Sequence, residues 1–140
     1  MALPSVGGGY QTTDGNQNET IIGIQPAPQT ATATATLTVA QILGGLLVGN
    51  PSTTAATYTT PTGALIDATM VNAKVNSAFM VTIINLGTST GLITVAAGVG
   101  ITAVGNLVIP ITGSAAGVSG AGTFEFQKTG VAAWSVYRVN

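Results

Sequence analysis

Residues 78–112 read AFMVTIINLGTSTGLITVAAGVGITAVGNLVIPIT, an apolar stretch that is either a membrane helix or a set of strands, and the class of the whole chain turns on which. From Leu92 to Ile111 it is long enough to cross a bilayer. Against a helix stand Gly98, Gly100, Gly105, Asn106 and Pro110, the many β-branched residues, and flanks without the basic residues that orient a span. The stretch therefore reads as strands separated by glycine turns. In its first part Phe79, Val81 and Ile83 oppose Met80, Thr82 and Ile84, the period of two expected of a strand.

The same pattern of strands and glycine turns extends through the chain. Strands are expected at 54–60, 78–85, 91–97, 99–104, 107–112, 123–128 and 132–139, with Gly and Ser clusters between them. Threonine occurs 23 times and, with Val and Ile, favours extended backbone. TATATATLTV at 30–39 alternates a hydroxyl face with a small apolar face and reads as one further strand. Lys128-Thr129-Gly130 is expected to turn a hairpin in which Phe124 and Phe126 flank an outward Glu125, Trp134 anchors the core, and Arg138 pairs with Glu125. Two short helices interrupt the strands. Thr38-Val39-Ala40-Gln41 has the spacing of a capping box ahead of Ile42-Leu43 and Gly44-Gly45, and Thr62 is placed to cap a turn whose Leu65, Ile66 and Met70 share a face. The expected fold is all-β: a β-sandwich or jelly-roll-like module over residues 36–140 with one or two short helices, preceded by an extended N-terminal arm over 1–35.

The arm carries the residues expected to contact a partner. Its triple glycine, polar cluster and prolines suit an extended segment, yet Leu3, Val6, Tyr10, Ile21, Ile22 and Ile24 are too apolar for a purely solvated tail. They are expected to lie in a groove of a neighbour or of the domain itself. Many strands are also apolar on both faces. A small sandwich has one inner face, so the other is expected to be covered by identical subunits in a tight homo-oligomer.

Composition excludes most chemistry. Seven charged residues in 140, without histidine or cysteine, are too sparse for an acid/base constellation, and the net charge of −1 offers no field for nucleic acid or an anionic membrane. No cofactor is expected. Asp14, Asn16 and Asn18 match three ligand positions of a calcium loop, but Glu19 replaces its glycine and Gln25 its glutamate, so a plain polar loop is the better account. Asn18-Glu19-Thr20 is a glycosylation sequon. MALPSVGGGYQTTDG lacks the basic start and apolar run of a secretory leader, so export by that route is not expected, synthesis and assembly are expected inside a cell, and the sequon is expected to be a chance match. Gly7 to Gly9 lack the lysine and hydroxyl of a phosphate-binding loop.

Three stretches carry a resemblance: TLTVAQILGGLLVGNPSTTAATYTTPTG (36–63), AFMVTIINLGTSTGLITVAAG (78–98) and GTFEFQKTGVAAWSVYRV (122–139). In this order they resemble the small virion proteins of tailed bacteriophages that decorate or cement the capsid. The resemblance covers roughly residues 36–139 and leaves the arm unmatched. It implies a homotrimer on the outer surface of the head, assembled in the host cytoplasm and clamping adjacent major capsid protein subunits. An alternative is a trimeric receptor-binding or fibre-tip module holding surface carbohydrate in loops 88–91 or 114–122. An enzyme would need Asp67 and Glu125 to act together, and nothing in their spacing brings them to one place.

Overall fold

The structure is a computed structural model that describes residues 9–11, 21–23, 25–112 and 120–140. It is mainly β, with two short helices. The first strands, β1 (Gly9–Gln11) and β2 (Ile21–Gly23), pair antiparallel as a two-stranded sheet. The following strands alternate between two larger sheets. β3 (Gln29–Ala31), β5 (Leu46–Gly49), β7 (Ala78–Asn85) and β9 (Ile101–Val104) enter a six-stranded sheet; β4 (Ala35–Thr36), β6 (Ala56–Thr59), β8 (Ile93–Ala96) and β10 (Val108–Ile109) enter a four-stranded one. The chain ends with β11 (Ala121–Gly130) and β12 (Ala133–Arg138), both in the larger sheet. The orders are β3-β5-β7-β11-β12-β9 and β10-β8-β6-β4.

Alternation makes neighbours parallel. β3, β5 and β7 run the same way, as do β4, β6 and β8, whereas β7–β11, β11–β12 and β8–β10 are antiparallel. A run of strands joined by tight turns predicts antiparallel partners, but parallel partners need crossovers. Here each crossover is made through the opposite sheet, and the two helices lie on these passages. α1 (Val39–Leu43) links β4 to β5 and α2 (Gly63–Thr69) links β6 to β7.

Local rules place both helices. The Thr38 hydroxyl accepts the Gln41 N–H at 3.2 Å while Gln41 Oε1 accepts the Thr38 N–H at 2.8 Å, the reciprocal capping box. Thr62 accepts the Leu65 N–H at 3.3 Å. Within α2 the expected face is corrected at one residue: Ile66 is fully buried and Met70 packs against the core, but Leu65 is exposed. Ile66 and Met70 are one turn apart, and Leu65 is rotated about 100° away from that line.

The Thr/Ala repeat does not form one strand. It gives β3 and β4, in different sheets, with a bend at Ala33 and Thr34 between them. Side chains this small bury too little to hold ten residues on one sheet, and the Thr34 hydroxyl accepts the Thr57 N–H at 3.0 Å, turning the chain toward β6. Pairing into the larger sheet thus begins at Gln29, ahead of the arm boundary expected at 35.

One core lies between the sheets. Leu47, Val81, Ile83, Phe124, Phe126, Trp134 and Val136 from the larger sheet meet Tyr58, Ile93, Val95 and Ile109 from the smaller, with Ile42 and Ile66 from the helices. The alternations read for β7 and β11 hold: Val81, Ile83, Phe124 and Phe126 point inward and Met80 is exposed. Phe79 stacks on Phe126 at 5.0 Å between centroids and meets the edge of Trp134 at 5.7 Å. Leu92–Ile111 contains β8, β9 and β10, and no helix among the described residues is long and apolar enough to cross a membrane.

Asn85 ties off the end of the sandwiching layers opposite the helices. Fully buried at the last position of β7, its amide nitrogen donates to the carbonyls of Gly91 (3.0 Å), Ile109 (3.2 Å) and Pro110 (3.1 Å), and its amide oxygen accepts the Gly87 N–H at 2.7 Å. Three acceptors against the nitrogen and one donor against the oxygen leave a single orientation for the amide.

Candidate interaction surface

Of the six arm residues expected to contact a partner, Tyr10 lies in β1 opposite Ile22 in β2, and Ile21 lies opposite Gln11. The two-stranded sheet thus brings three of them together in one backbone ladder. Leu3, Val6 and Ile24 lie outside the described residues, as do Asp14 to Glu19 with the calcium-like loop and the sequon.

The two carboxylates among the described residues, Asp67 and Glu125, have different neighbours. Asp67 on α2 accepts the Ala132 N–H at 2.8 Å through Oδ2 and the Trp134 indole N–H at 2.8 Å through Oδ1, and Lys128 Nζ lies 2.6 Å from Oδ1. The Lys128 ammonium also sits 5.6 Å from the centroid of the Trp134 ring. The Lys128 hydrogen bond, then the Ala132 N–H, hold the Asp67 carboxyl below its ordinary value. All three of these contacts are made to the β11–β12 hairpin, so this cluster is a latch between α2 and the hairpin. Glu125 lies on β11 between Met80 of β7 and Tyr137 of β12. The ion pair expected between Glu125 and Arg138 does not form: Phe124 is the residue opposite Arg138, and the Arg138 guanidinium donates to the Val108 carbonyl instead. Among the described residues no three His, Cys, Asp or Glu side chains come together to hold a metal.

Exposed apolar side chains mark two surfaces. The first is the outer face of the larger sheet, where the strand registers place Val48 beside Ile84, Leu46 beside Thr82, and Met80, Glu125, Tyr137 and Val104 in one row. Met80 is 58% exposed, and the Thr82 and Thr123 hydroxyls bond to each other at 3.0 Å, leaving Glu125 as the one charge in that row. The second surface is at the helix end. Val131, at the tip of the β11–β12 hairpin, is 94% exposed, and Val99, in the turn before β9, is 82% exposed. The Gly63 N–H donates to the Val99 carbonyl at 2.9 Å, and a Cβ on Gly63 would lie 2.2 Å from the Ala132 carbonyl, so the two turns and the start of α2 meet here. Leu65 adds a third exposed apolar side chain.

Hydropathy alternation hides this second surface: Val131 sits in a turn outside any strand period, and Val99, expected to open a strand over 99–104, lies instead in the turn before β9. A valine flanked by Gly98 and Gly100, or following Gly130, is the sequence signal that finds it.

At the opposite end a cleft of about 300 Å³ is bordered by Ser89, Thr90, Leu92, Val108, Pro110 and Ile111. Its walls are aliphatic, with two hydroxyls at the rim. Of the loops considered for carbohydrate, 88–91 borders this cleft, and most of 114–122 lies outside the described residues.

No family model, no curated protein and no solved structure matches this chain.

Proposed function

We propose that the chain is a non-enzymatic structural virion protein that decorates and stabilises a phage capsid by bridging major capsid protein subunits from the outside. The observation carrying this reading is the pair of exposed, nearly charge-free apolar surfaces, at Val99/Val131/Leu65 and on the outer sheet face, on a chain whose Asp67 and Lys128 are consumed in an internal latch. Apolar contact of this kind strengthens a shell by burying area across boundaries that separate under internal pressure, and it tolerates salt because little of it is ionic.

Two mixed sheets over one core favour a β-sandwich for the module, although the parallel sets β3-β5-β7 and β4-β6-β8 depart from the antiparallel Greek keys of a jelly roll. The homotrimer implied by the resemblance suits a surface that must be covered by identical copies, and the arm ladder of Tyr10, Ile21 and Ile22 is assigned to contact a neighbour. The carbohydrate alternative is weaker, since the cleft by loop 88–91 has neither an aromatic platform nor a carboxylate.

The test is to mix the purified chain with heads assembled without it. Saturable binding that raises the temperature at which heads release DNA, lost in a V99D/V131D variant that still melts cooperatively, is the expected result. Heads that neither bind the intact chain nor gain heat resistance overturn the proposal.

A further inference from the structure

The two larger sheets have four edges, and three of them are blunted. At β10 the Val108 N–H and C=O point away from β8; Asn106 Oδ1 accepts the first at 3.0 Å and Arg138 donates to the second. At β3 the outward Thr30 carbonyl accepts the Gln41 side-chain amide at 2.8 Å. The β4 edge is two residues long. Native sheets blunt their edges in these ways because an open ladder recruits another strand.

β9 is different. The Trp134 N–H donates to the Gly100 carbonyl at 2.9 Å, and with Trp134 level with Ile101 this turns the polar groups of Thr102 and Val104 toward β12 and those of Ala103 away from it. The Ile101 N–H is taken by the Gly98 carbonyl at 3.0 Å. Among the described residues β9 is the end strand of its sheet, its positions 102–104 are exposed, and the segment 101–106 has no charge and no proline.

We infer that β9 is a self-recognition edge, pairing antiparallel with β9 of a second copy about a two-fold axis through Ala103. The edge is self-complementary: that axis sets the free N–H and C=O of Ala103 against the same groups in the other copy, and puts Thr102 opposite Val104 on the outer face. The absence of charge on 101–106 means that the two copies do not repel. Joining two such edges continues the six-stranded sheet, with its apolar outer face, across the contact. The inference goes beyond the capsid reading, and its test needs no shell.

Because the chain has no cysteine, a single A103C variant reports the geometry directly. Opposed residues of a hydrogen-bonded antiparallel pair have Cα atoms about 5.5 Å apart, within disulfide range. Mild oxidation of A103C is expected to give a disulfide-linked dimer as the main product on a non-reducing denaturing gel, with T36C, on the exposed β4 edge, staying monomeric. In the unmodified chain, hydrogen exchange at the Ala103 amide should slow as concentration rises while the Thr102 amide, bonded to β12, stays slow throughout. A103C that crosslinks no better than T36C, or an Ala103 amide whose exchange is independent of concentration, overturns the inference; an edge occupied by any other segment gives this same negative result.

Discussion

Replacing Asn85 tests whether the end of the molecule opposite the helices is held by one buried amide. Asn85→Ala removes four contacts, to the carbonyls of Gly91, Ile109 and Pro110 and to the Gly87 N–H, in a fully buried site. At about 1 kcal/mol for each stranded group the loss is about 3–4 kcal/mol. For a chain of this size that lowers the melting temperature by about 10 °C. Asn85→Asp is the sharper variant, because it keeps the shape and sets a carboxylate oxygen against three carbonyls. It should be at least as destabilising as Asn85→Ala at neutral pH and recover part of the loss in acid, where the protonated carboxyl donates again. Thermal unfolding followed by far-ultraviolet circular dichroism, and by the fluorescence of Trp134, the one tryptophan, reads both. A drop of under about 2 °C for Asn85→Ala, set against the conversion above, refutes the reasoning, as does an Asn85→Asp variant as stable as the parent at pH 7.

Three further outcomes follow from packing and charge. The Asp67 carboxyl titrates below its ordinary value of 3.8, so its latch contributes stability that is present above that value and lost as pH falls through the lower folded-state value; melting curves taken down the acid range should show this loss, and Asp67→Asn should flatten it. Burial raises the Tyr58 hydroxyl above its ordinary value of 10.0, so the stability it contributes is present below that pH and lost above it. Tyr58→Phe should cost about 1 kcal/mol at neutral pH by removing the 2.8 Å bond to the Ala31 carbonyl, and should lessen the alkaline loss in denaturant titrations. Gly49→Ala would set a Cβ 2.5 Å from Ile93 Cδ1 and 3.0 Å from the Tyr58 ring, an overpacking that should cost about 1–3 kcal/mol in the same titrations.

What the sequence made legible was local. The Thr38–Gln41 capping box, the inward set Val81, Ile83, Phe124 and Phe126, the buried Trp134 and the rejection of a membrane helix all follow from rules acting within a few residues. Strand order was not legible, because period-two alternation says which face is buried and nothing about which strand lies beside it. Hence the reading of 30–39 as one strand failed where a bend moves the chain between sheets, and Arg138 met the Val108 carbonyl in place of Glu125. Asp67 was isolated in sequence, and its partners lie 61 to 67 positions away. The exposed valines were missed for another reason: Val131 belongs to a turn in which no alternation exists, and Val99 was read as the first residue of a strand that begins only at Ile101.

The central place of the last two strands has a consequence for how the chain comes together. β11 and β12 lie between β7 and β9, so β9, although made earlier, has no sheet to join until the hairpin has been inserted beside β7. The first crossovers can form as the chain emerges, each strand lying down next to one already placed. Closure of the larger sheet waits for the final twenty residues, and Phe124, Phe126 and Trp134 arrive only then. A chain interrupted before residue 120 would present an open apolar core to its surroundings, so the β11–β12 hairpin acts as the checkpoint at which an aggregation-prone intermediate becomes a closed sheet over its core.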